Sequence, residues 1–327
     1  MNYWKIMAGR ASVAIDEFKE NSIVGIGFIA NKKAAQANSV DEMRDLVAQE
    51  HPTATAGRVI SWGSQLYRFY NKVHRGDRVL MYEPSTRLYH IGEVSSDAEY
   101  ITGNEHPHRR KVRWLQTLSR DALSTGTRNT LGAILALFEV EGEAKEELKR
   151  RLAGEVREGV EKSLPVVEAE RDIDELGEDI YERSQEFIKD AIVKLDWKQV
   201  QEIVAGLLRA MGYKTRVSPV GADRGKDIVA SPDGLGLENP RIAVEVKHRP
   251  NAQIGAPEVR AFAGGLRNAK GVYVSTGGFS REAHYEAERA QEPVLLLDID
   301  ELSSLITQYY EEFDADTRAL LPLRKMY

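Results

Sequence analysis

Residues 225–249 read GKDIVASPDGLGLENPRIAVEVKHR. Asp227 opens one short apolar run, and a Glu-x-Lys, Glu245 and Lys247, closes the next. Positions two apart on a strand face the same side, so Glu245 and Lys247 project together. The stretch between the runs, SPDGLGLENP, is rich in turn formers and lets the two strands pair. Pairing brings Asp227 to the other two. Two carboxylates and an ammonium at one point are costly unless they hold something. A hard divalent cation suits the carboxylates, and its bound water suits the lysine. Such a cluster is suited to cutting a phosphodiester. The plainer alternative for Glu-x-Lys alone is an exposed ion pair, worth roughly 0–1 kcal/mol.

Around this stretch the C-terminal part has a regular rhythm. In WKQVQEIVAGLLRAMGY, Val200, Ile203, Val204, Leu207, Leu208 and Met211 recur at helical spacing and stop at Gly212. KTRVSPV, Asp227 to Ser231 and Ile242 to Lys247 are expected strands. APEVRAFAGGLRNA is an expected helix, GVYVS a strand, REAHYEAERA a helix, PVLLLD a strand and DELSSLITQYYEEF a last helix. Three strands in succession, then strand–helix alternation, imply a mixed sheet flanked by helices.

The N-terminal part differs. IVGIGFIA, DRVLMYE, LYHIGEVSS and RKVRWLQ read as strands, with helices around 39–49 and 65–73. A small curled β-rich domain is expected there. Between the two parts, residues 141–190 carry 17 acidic and 9 basic side chains at helical spacing, broken near Pro165, and read as a solvated helical linker, or alternatively as part of the first domain or of a dimer interface. The expected organisation is a β-rich domain over 1–140, an acidic helical linker over 141–192 and an α/β domain over 193–327.

The chain has 327 residues and a net charge of −6, and the acidity of the middle segment makes that total a poor guide to nucleic-acid binding. It contains no cysteine, which excludes disulfides, thiolate zinc sites and cysteine nucleophiles and suits a reducing cytoplasm. No apolar stretch approaches the roughly 20 residues that span a bilayer, and the first residues lack the order of a signal peptide. A cytoplasmic protein without membrane contact is expected. No G-x-x-x-x-G-K-[ST] occurs, so cutting needs no nucleotide hydrolysis by this chain.

LLRAMGY, GADRGKDIVA, VEVKHR, EVRAFAGGLRNAKGVYVSTGGFS and VLLLD occur in that order from Trp197 to about Leu305. This set resembles the catalytic domain of the Mrr family, restriction endonucleases of the PD-(D/E)xK superfamily. The resemblance implies a restriction-endonuclease-like fold in which Asp227 and Glu245, helped by the Val246 carbonyl, bind Mg²⁺, with Mn²⁺ as a substitute. Lys247 is then the residue that orients or deprotonates the attacking water. Many members carry Gln-x-Lys where this chain has Glu245, which adds a carboxylate. Many also carry a glutamate on the first helix, where this chain has Gln201, a candidate accessory. Asp223 is a candidate outer partner or a turn cap.

His248 and Arg249 are candidates for a DNA phosphate, or simply solvated charges at a strand end. Ser275-Thr276-Gly277-Gly278 is either a phosphate-cradling turn or a loop that needs glycine. His284 reads as a surface residue.

WGSQLYRFYNKVHRGDRVLMYEPSTRLYHIGEV, from Trp62 onward, resembles the EVE domain of the PUA superfamily over about residues 1–115. The likeness implies a PUA/EVE-like β-barrel that holds a modified or flipped base against aromatic rings, where stacking is worth roughly 1–3 kcal/mol. Trp62 is the position carried over, with Tyr82 and Trp4 as further pocket candidates; each is otherwise a core aromatic. In HPHRRKVRW, alternation places Lys111 and Arg113 on one face for phosphates or for plain solvent, with Val112 and Trp114 buried.

Together the two resemblances imply a modification-dependent, type IV restriction endonuclease of phage defence, acting on modified double-stranded DNA as a homodimer. A junction-type repair nuclease, a non-catalytic nucleic-acid reader and RNA as the reader's ligand are the alternatives.

Overall fold

The computed structural model describes residues 1–9, 12–133, 135–154, 173–218, 227–235 and 237–323. The chain divides into two compact units, Met1–Arg183 and Ser184–Tyr327.

The first unit runs β1 (Tyr3–Ile6), α1 (Ile15–Glu20), β2 (Ile23–Ile26), α2 (Val40–Glu50), α3 (Ala56–Asn71), β3 (Arg78–Glu83), β4 (Leu88–Val94), β5 (Glu99–Tyr100), β6 (His108–Ser119), α4 (Thr125–Leu131), β7 (Leu137–Glu139) and α5 (Gly142–Leu152). Its strands lie in the order β2-β6-β4-β3-β1-β7, with β5 also paired to β6. β1 runs parallel to β3, and the other pairs are antiparallel. The sheet is open, because its end strands β2 and β7 do not pair with each other. The closed barrel expected from sequence is therefore replaced by an open sheet whose ends lie beside helices, α1 next to β2 and α3 next to β7. Covering an edge in this way removes the need to close it.

Strand alternation gives this sheet two cores. Trp4, Ile6, Val79 and Met81 pack with Phe18, Met43, Val47, Leu66 and Phe69 from α1–α3. Tyr3, Leu80, Tyr89 and Ile91 pack on the other face with Leu131, Ala144 and Leu148 from α4 and α5. The sequence reads Gly142–Leu152 as linker, or as packing into the first domain, and the structure shows the latter. Ala144 and Leu148, one turn apart, seal this second core.

The second unit contains the end of α6 (Ile173–Val193), then α7 (Trp197–Ala210), β8 (Lys214–Val217), β9 (Ile228–Ser231), β10 (Ile242–Lys247), α8 (Ala256–Gly264), β11 (Lys270–Ser275), α9 (Arg281–Glu288), β12 (Val294–Asp298), α10 (Ile299–Tyr309) and α11 (Ala315–Leu320). From α7 to α10 the order matches the expected alternation. The sheet order is β12-β11-β10-β9-β8. β10, β11 and β12 are parallel, while β9 and β8 are antiparallel. Ile188 and Ile192 of α6 belong to this core, so the linker expected up to residue 192 ends inside the unit.

α7 shows why the sequence folds as it does. Asp196 caps it and Gln199 completes the capping box. Val200, Ile203, Val204, Leu207 and Leu208 are buried against the sheet, each contributing about 1.5–3 kcal/mol. Gly206 lets Thr317 of α11 approach its backbone, and Gly212, at φ +94°, ends the segment. One face of the sheet is thus covered by α7 and α10, and the other by α8 and α9.

Candidate active site

β9 and β10 pair in the register Val244↔Ile228, which sets Asp227 opposite Glu245. The ladder continues through Asp227, whose nitrogen donates to the Val244 oxygen at 2.8 Å. Its carboxylate Oδ2 accepts from the Val246 nitrogen at 2.7 Å. Val244 and Val246 point their backbone groups to the same neighbour, so the Val246 carbonyl also faces the Asp227 side. Lys247 Nζ lies 2.6 Å from Glu245 Oε1. The structure thus brings Asp227, Glu245, Val246 and Lys247 together at the ends of two paired strands.

The electrostatics are strained toward positive charge. Burial pushes the Glu245 carboxyl above its usual range, and Asp227 and Glu258 push it the same way against the Lys247 hydrogen bond. Tyr273, the register partner of Glu245 on β11, is buried, and its hydroxyl is also pushed up by burial and by Glu245. Among the described residues no three His, Asp or Glu side chains converge as metal ligands do. Two carboxylates and a carbonyl nonetheless fit a small hard cation that keeps most of its own water, as Mg²⁺ does. Asp223 lies outside the described residues.

Gln201 is buried on α7, the helix packed against β9 and β10. Glu258 carries no signal in the strand motif. It opens α8, where it accepts from the Gly255 nitrogen at 3.1 Å and lies 3.7 Å from Arg249. The sequence signal for it is the helix start G-A-P-E, with proline in the first turn and glutamate at the capping-box position.

The phosphate contact expected of His248 is replaced by an anchoring role. Its Nδ1 accepts from the Thr276 hydroxyl at 3.0 Å, and its Nε2–H donates to the Leu195 oxygen at 2.9 Å. Burial lowers its pKa, so the ring is neutral at pH 7. Arg249 differs, its side chain being 61% exposed. The Ser275–Gly278 turn is a tight loop. Ser275 and Thr276 are buried, Ser275 bonds to the Gly278 oxygen, and Gly278 has φ +78°. A Cβ at Gly277 would run into the carbonyls of Ala252 and Arg249. His284 is exposed.

In the first unit the three expected pocket aromatics do not share a pocket. Trp4 is 1% exposed and donates to Asp77 Oδ2 at 3.1 Å, inside the first core. Tyr82 packs on the opposite sheet face, beside Tyr89. Alternation along β1 and β3 forces this separation. Trp62 is half-buried on α3, stacked on Phe28 at 5.1 Å with the Arg58 guanidinium over its ring. Lys111 and Arg113 are exposed on one face of β6, with Val112 buried between them. Arg113 pairs with Glu93 at 3.1 Å.

Comparison with known proteins places these units in context. Residues 192–306 match a family described as a restriction endonuclease, of the Mrr catalytic type, and residues 4–137 match a domain of unknown function. The type IV methyl-directed restriction enzyme EcoKMrr of Escherichia coli K12 is 33% identical over 114 residues, covering 32% of this chain and 36% of that enzyme. The chain thus spans about a third of the length of this relative. Among solved structures, the DNA modification-dependent restriction endonuclease AspBHI aligns over 80% of this chain and 73% of its own, at 18% identity and a TM-score of 0.34. The MspJI restriction endonuclease, solved with a 27-mer oligonucleotide, aligns over 97% of this chain and 71% of its own, at 12% identity and a TM-score of 0.29. Among the described residues no helix is long and apolar enough to cross a membrane. Residues 192–306, which hold the Asp227–Glu245–Lys247 cluster, are thus similar to the Mrr-type restriction endonuclease family.

Proposed function

We propose that this chain is a modification-dependent DNA endonuclease of the type IV restriction kind. The unit Met1–Arg183 acts as an EVE/PUA-like reader of a modified base in duplex DNA. The Ser184–Tyr327 unit hydrolyses the backbone. One observation carries the proposal: Asp227, Glu245 and Lys247 converge inside a restriction endonuclease domain. The half-buried ring of Trp62, flanked by Phe28 and Arg58, supports an aromatic site in the reader.

Asp227, Glu245 and the Val246 carbonyl would hold a Mg²⁺ or Mn²⁺ ion, with Gln201 as an accessory, and the ion would supply the charge that polarises the scissile phosphate and acidifies water. Lys247, fixed by Glu245, orients the attacking water and faces the charge that builds on the phosphoryl oxygens. Arg249, Lys111 and Arg113 contact backbone phosphates, which position the duplex without reading its sequence. One such centre cuts one strand, so a double-strand break favours a homodimer or transient pairing of two chains. A role in cytoplasmic phage defence follows from that activity.

The test is cleavage of methylated, hydroxymethylated and unmodified DNA with Mg²⁺ or EDTA, by the wild type and by Asp227→Ala. Cutting confined to modified DNA, dependent on Mg²⁺ and lost in Asp227→Ala, supports the proposal. Equal cutting of every DNA removes the reader. Preference for branched over modified duplex substrates replaces restriction with repair.

A further inference from the structure

The register of the catalytic sheet leaves one face partly bare. Ala243, Tyr273 and Leu296, from β10, β11 and β12, form a core with α8 and α9, and β8 and β9 contribute nothing to it. On that face Arg216 of β8 stands opposite Val229 of β9, which stands opposite Ala243 of β10. Lys214 stands opposite Ser231. Glu245 is two residues beyond Ala243, and Asp227 two residues before Val229. By strand alternation, Lys214, Arg216, Val229, Asp227 and Glu245 share one side of the sheet. Val217, on the other side of β8, packs with the α7 core instead.

Lys214 and Arg216 are exposed, and Val229 is 39% exposed. Among the described residues neither cation takes part in an ion pair. The nearby Asp233 commits its carboxylate to the Ser231 hydroxyl and to the nitrogens of Leu235, Leu237 and Glu238. The Lys214 stem lies against Gly234, whose φ of +72° and missing Cβ make room for it. The two cations are two residues apart, about 6.8 Å along the strand. With one phosphate per about 3.4 Å of helix axis on each strand, that spacing lets the two cations reach neighbouring phosphates of one strand.

A lysine on an edge strand also discourages strand-to-strand aggregation. That role needs charge at the edge. It does not need two cations on the face that carries the catalytic carboxylates. We propose that the bare face of β8 and β9 is a track for the phosphate backbone of the DNA being cut, with Lys214 and Arg216 as its phosphate contacts. The inference rests on the nuclease reading, because its ligand is that reaction's substrate. Positive charge beside two carboxylates offsets their repulsion of a phosphodiester as it approaches.

The experiment is a salt titration of DNA binding by the full chain, in EDTA to prevent cutting, read by fluorescence anisotropy of a labelled duplex. Lys214→Ala/Arg216→Ala is expected to flatten the slope of log affinity against log salt by about 1.8, about 0.9 for each lost contact. Each single variant flattens it by about half as much. Lys214→Arg/Arg216→Lys, which keeps both charges, is expected to retain the wild-type slope. An unchanged slope in the double alanine variant overturns the track. So does an equal flattening in the charge-preserving variant, since that reports lost structure. Asp227→Asn tests the nuclease reading separately by cleavage, so failure of one is distinguishable from failure of the other.

Discussion

The backbone nitrogen of Val246 donates to the Asp227 carboxylate at 2.7 Å, tying the aspartate of one strand to the residue between Glu245 and Lys247 of the next. One carboxylate oxygen thus aligns the strands, and the other is left for a cation. Asp227→Asn keeps an acceptor for Val246 and loses the charge. Its expected outcome is a drop of at least about 100-fold in Mg²⁺-dependent nicking, with a urea midpoint near wild type. Asp227→Ala also strands the Val246 N–H, and should lose about 1–3 kcal/mol of stability as well. If the two variants have equal midpoints, the alignment role is wrong.

Lys247 competes with any cation for Glu245, because its Nζ is 2.6 Å from Oε1. Lys247→Met frees that oxygen. Calorimetry should then show Mn²⁺ bound at least as tightly as in wild type, while cleavage falls by about 10²–10⁴-fold. A variant that loses both metal and cleavage would show that the lysine is needed to assemble the carboxylates, and would remove its role toward water.

His248 fixes the chain between Lys247 and Arg249 by clamping its ring to Thr276 and to the Leu195 carbonyl. His248→Ala releases both bonds, and cleavage should fall by roughly 10-fold or more. His248→Gln retains a donor within reach of the Leu195 oxygen and should recover part of that loss. A phosphate ligand would behave differently, since alanine and glutamine would both flatten the salt dependence of DNA binding. Anisotropy of both variants in EDTA separates the two roles.

The Asp227–Glu245–Lys247 cluster was legible because a period-2 pattern and a turn-rich loop are local signals. They place Glu245, Lys247 and Asp227 on one face before any tertiary contact is considered. Arg216 and Lys214 were not legible, because their place beside the cluster depends on the register of an edge strand separated from the Glu-x-Lys by a long stretch of chain. Glu258 was hidden for a similar reason: a helix-start glutamate looks like a cap, and it is one. In the first unit, aromatic content marked Trp4, Trp62 and Tyr82 alike, but only strand pairing separates the face of Trp4 from that of Tyr82. The stretch EAKEELKRRL reads as solvated because its mixed charges outnumber a narrow apolar stripe of Ala144, Leu148 and Leu152. That narrow stripe is enough to close a core already lined by Tyr89 and Ile91.

The first unit should also be the acid-labile part of the chain, through Glu83 and His108. Burial alone would raise the Glu83 carboxyl, but bonds from His90 and Thr86 and the charge of Lys19 overcome it and hold it at about 2. A carboxyl lowered in the folded state stabilises above its unfolded pKa, and that stability is lost as pH falls toward about 2. His108 is fully buried between the Tyr70 hydroxyl and the Ile29 oxygen, and burial lowers it to about 4. The unfolded chain takes up that proton from about pH 6.5 downward, so the His108 contribution to stability falls between about 6.5 and 4. Each group accounts for up to about 3 kcal/mol over its own window. Urea unfolding from pH 7 to 4, followed by the fluorescence of Trp4, Trp62 and Trp114, should therefore show falling stability, first from His108 and then increasingly from Glu83. His108→Gln cannot take up that proton, so its stability should be lower at pH 7 and fall less steeply than the wild type's from pH 6.5 to 5, the remaining slope coming from groups such as His106, whose pKa burial also lowers. A wild-type profile flat from pH 6.5 to 5 would mean that His108 is already charged in the folded unit, which its burial disfavours.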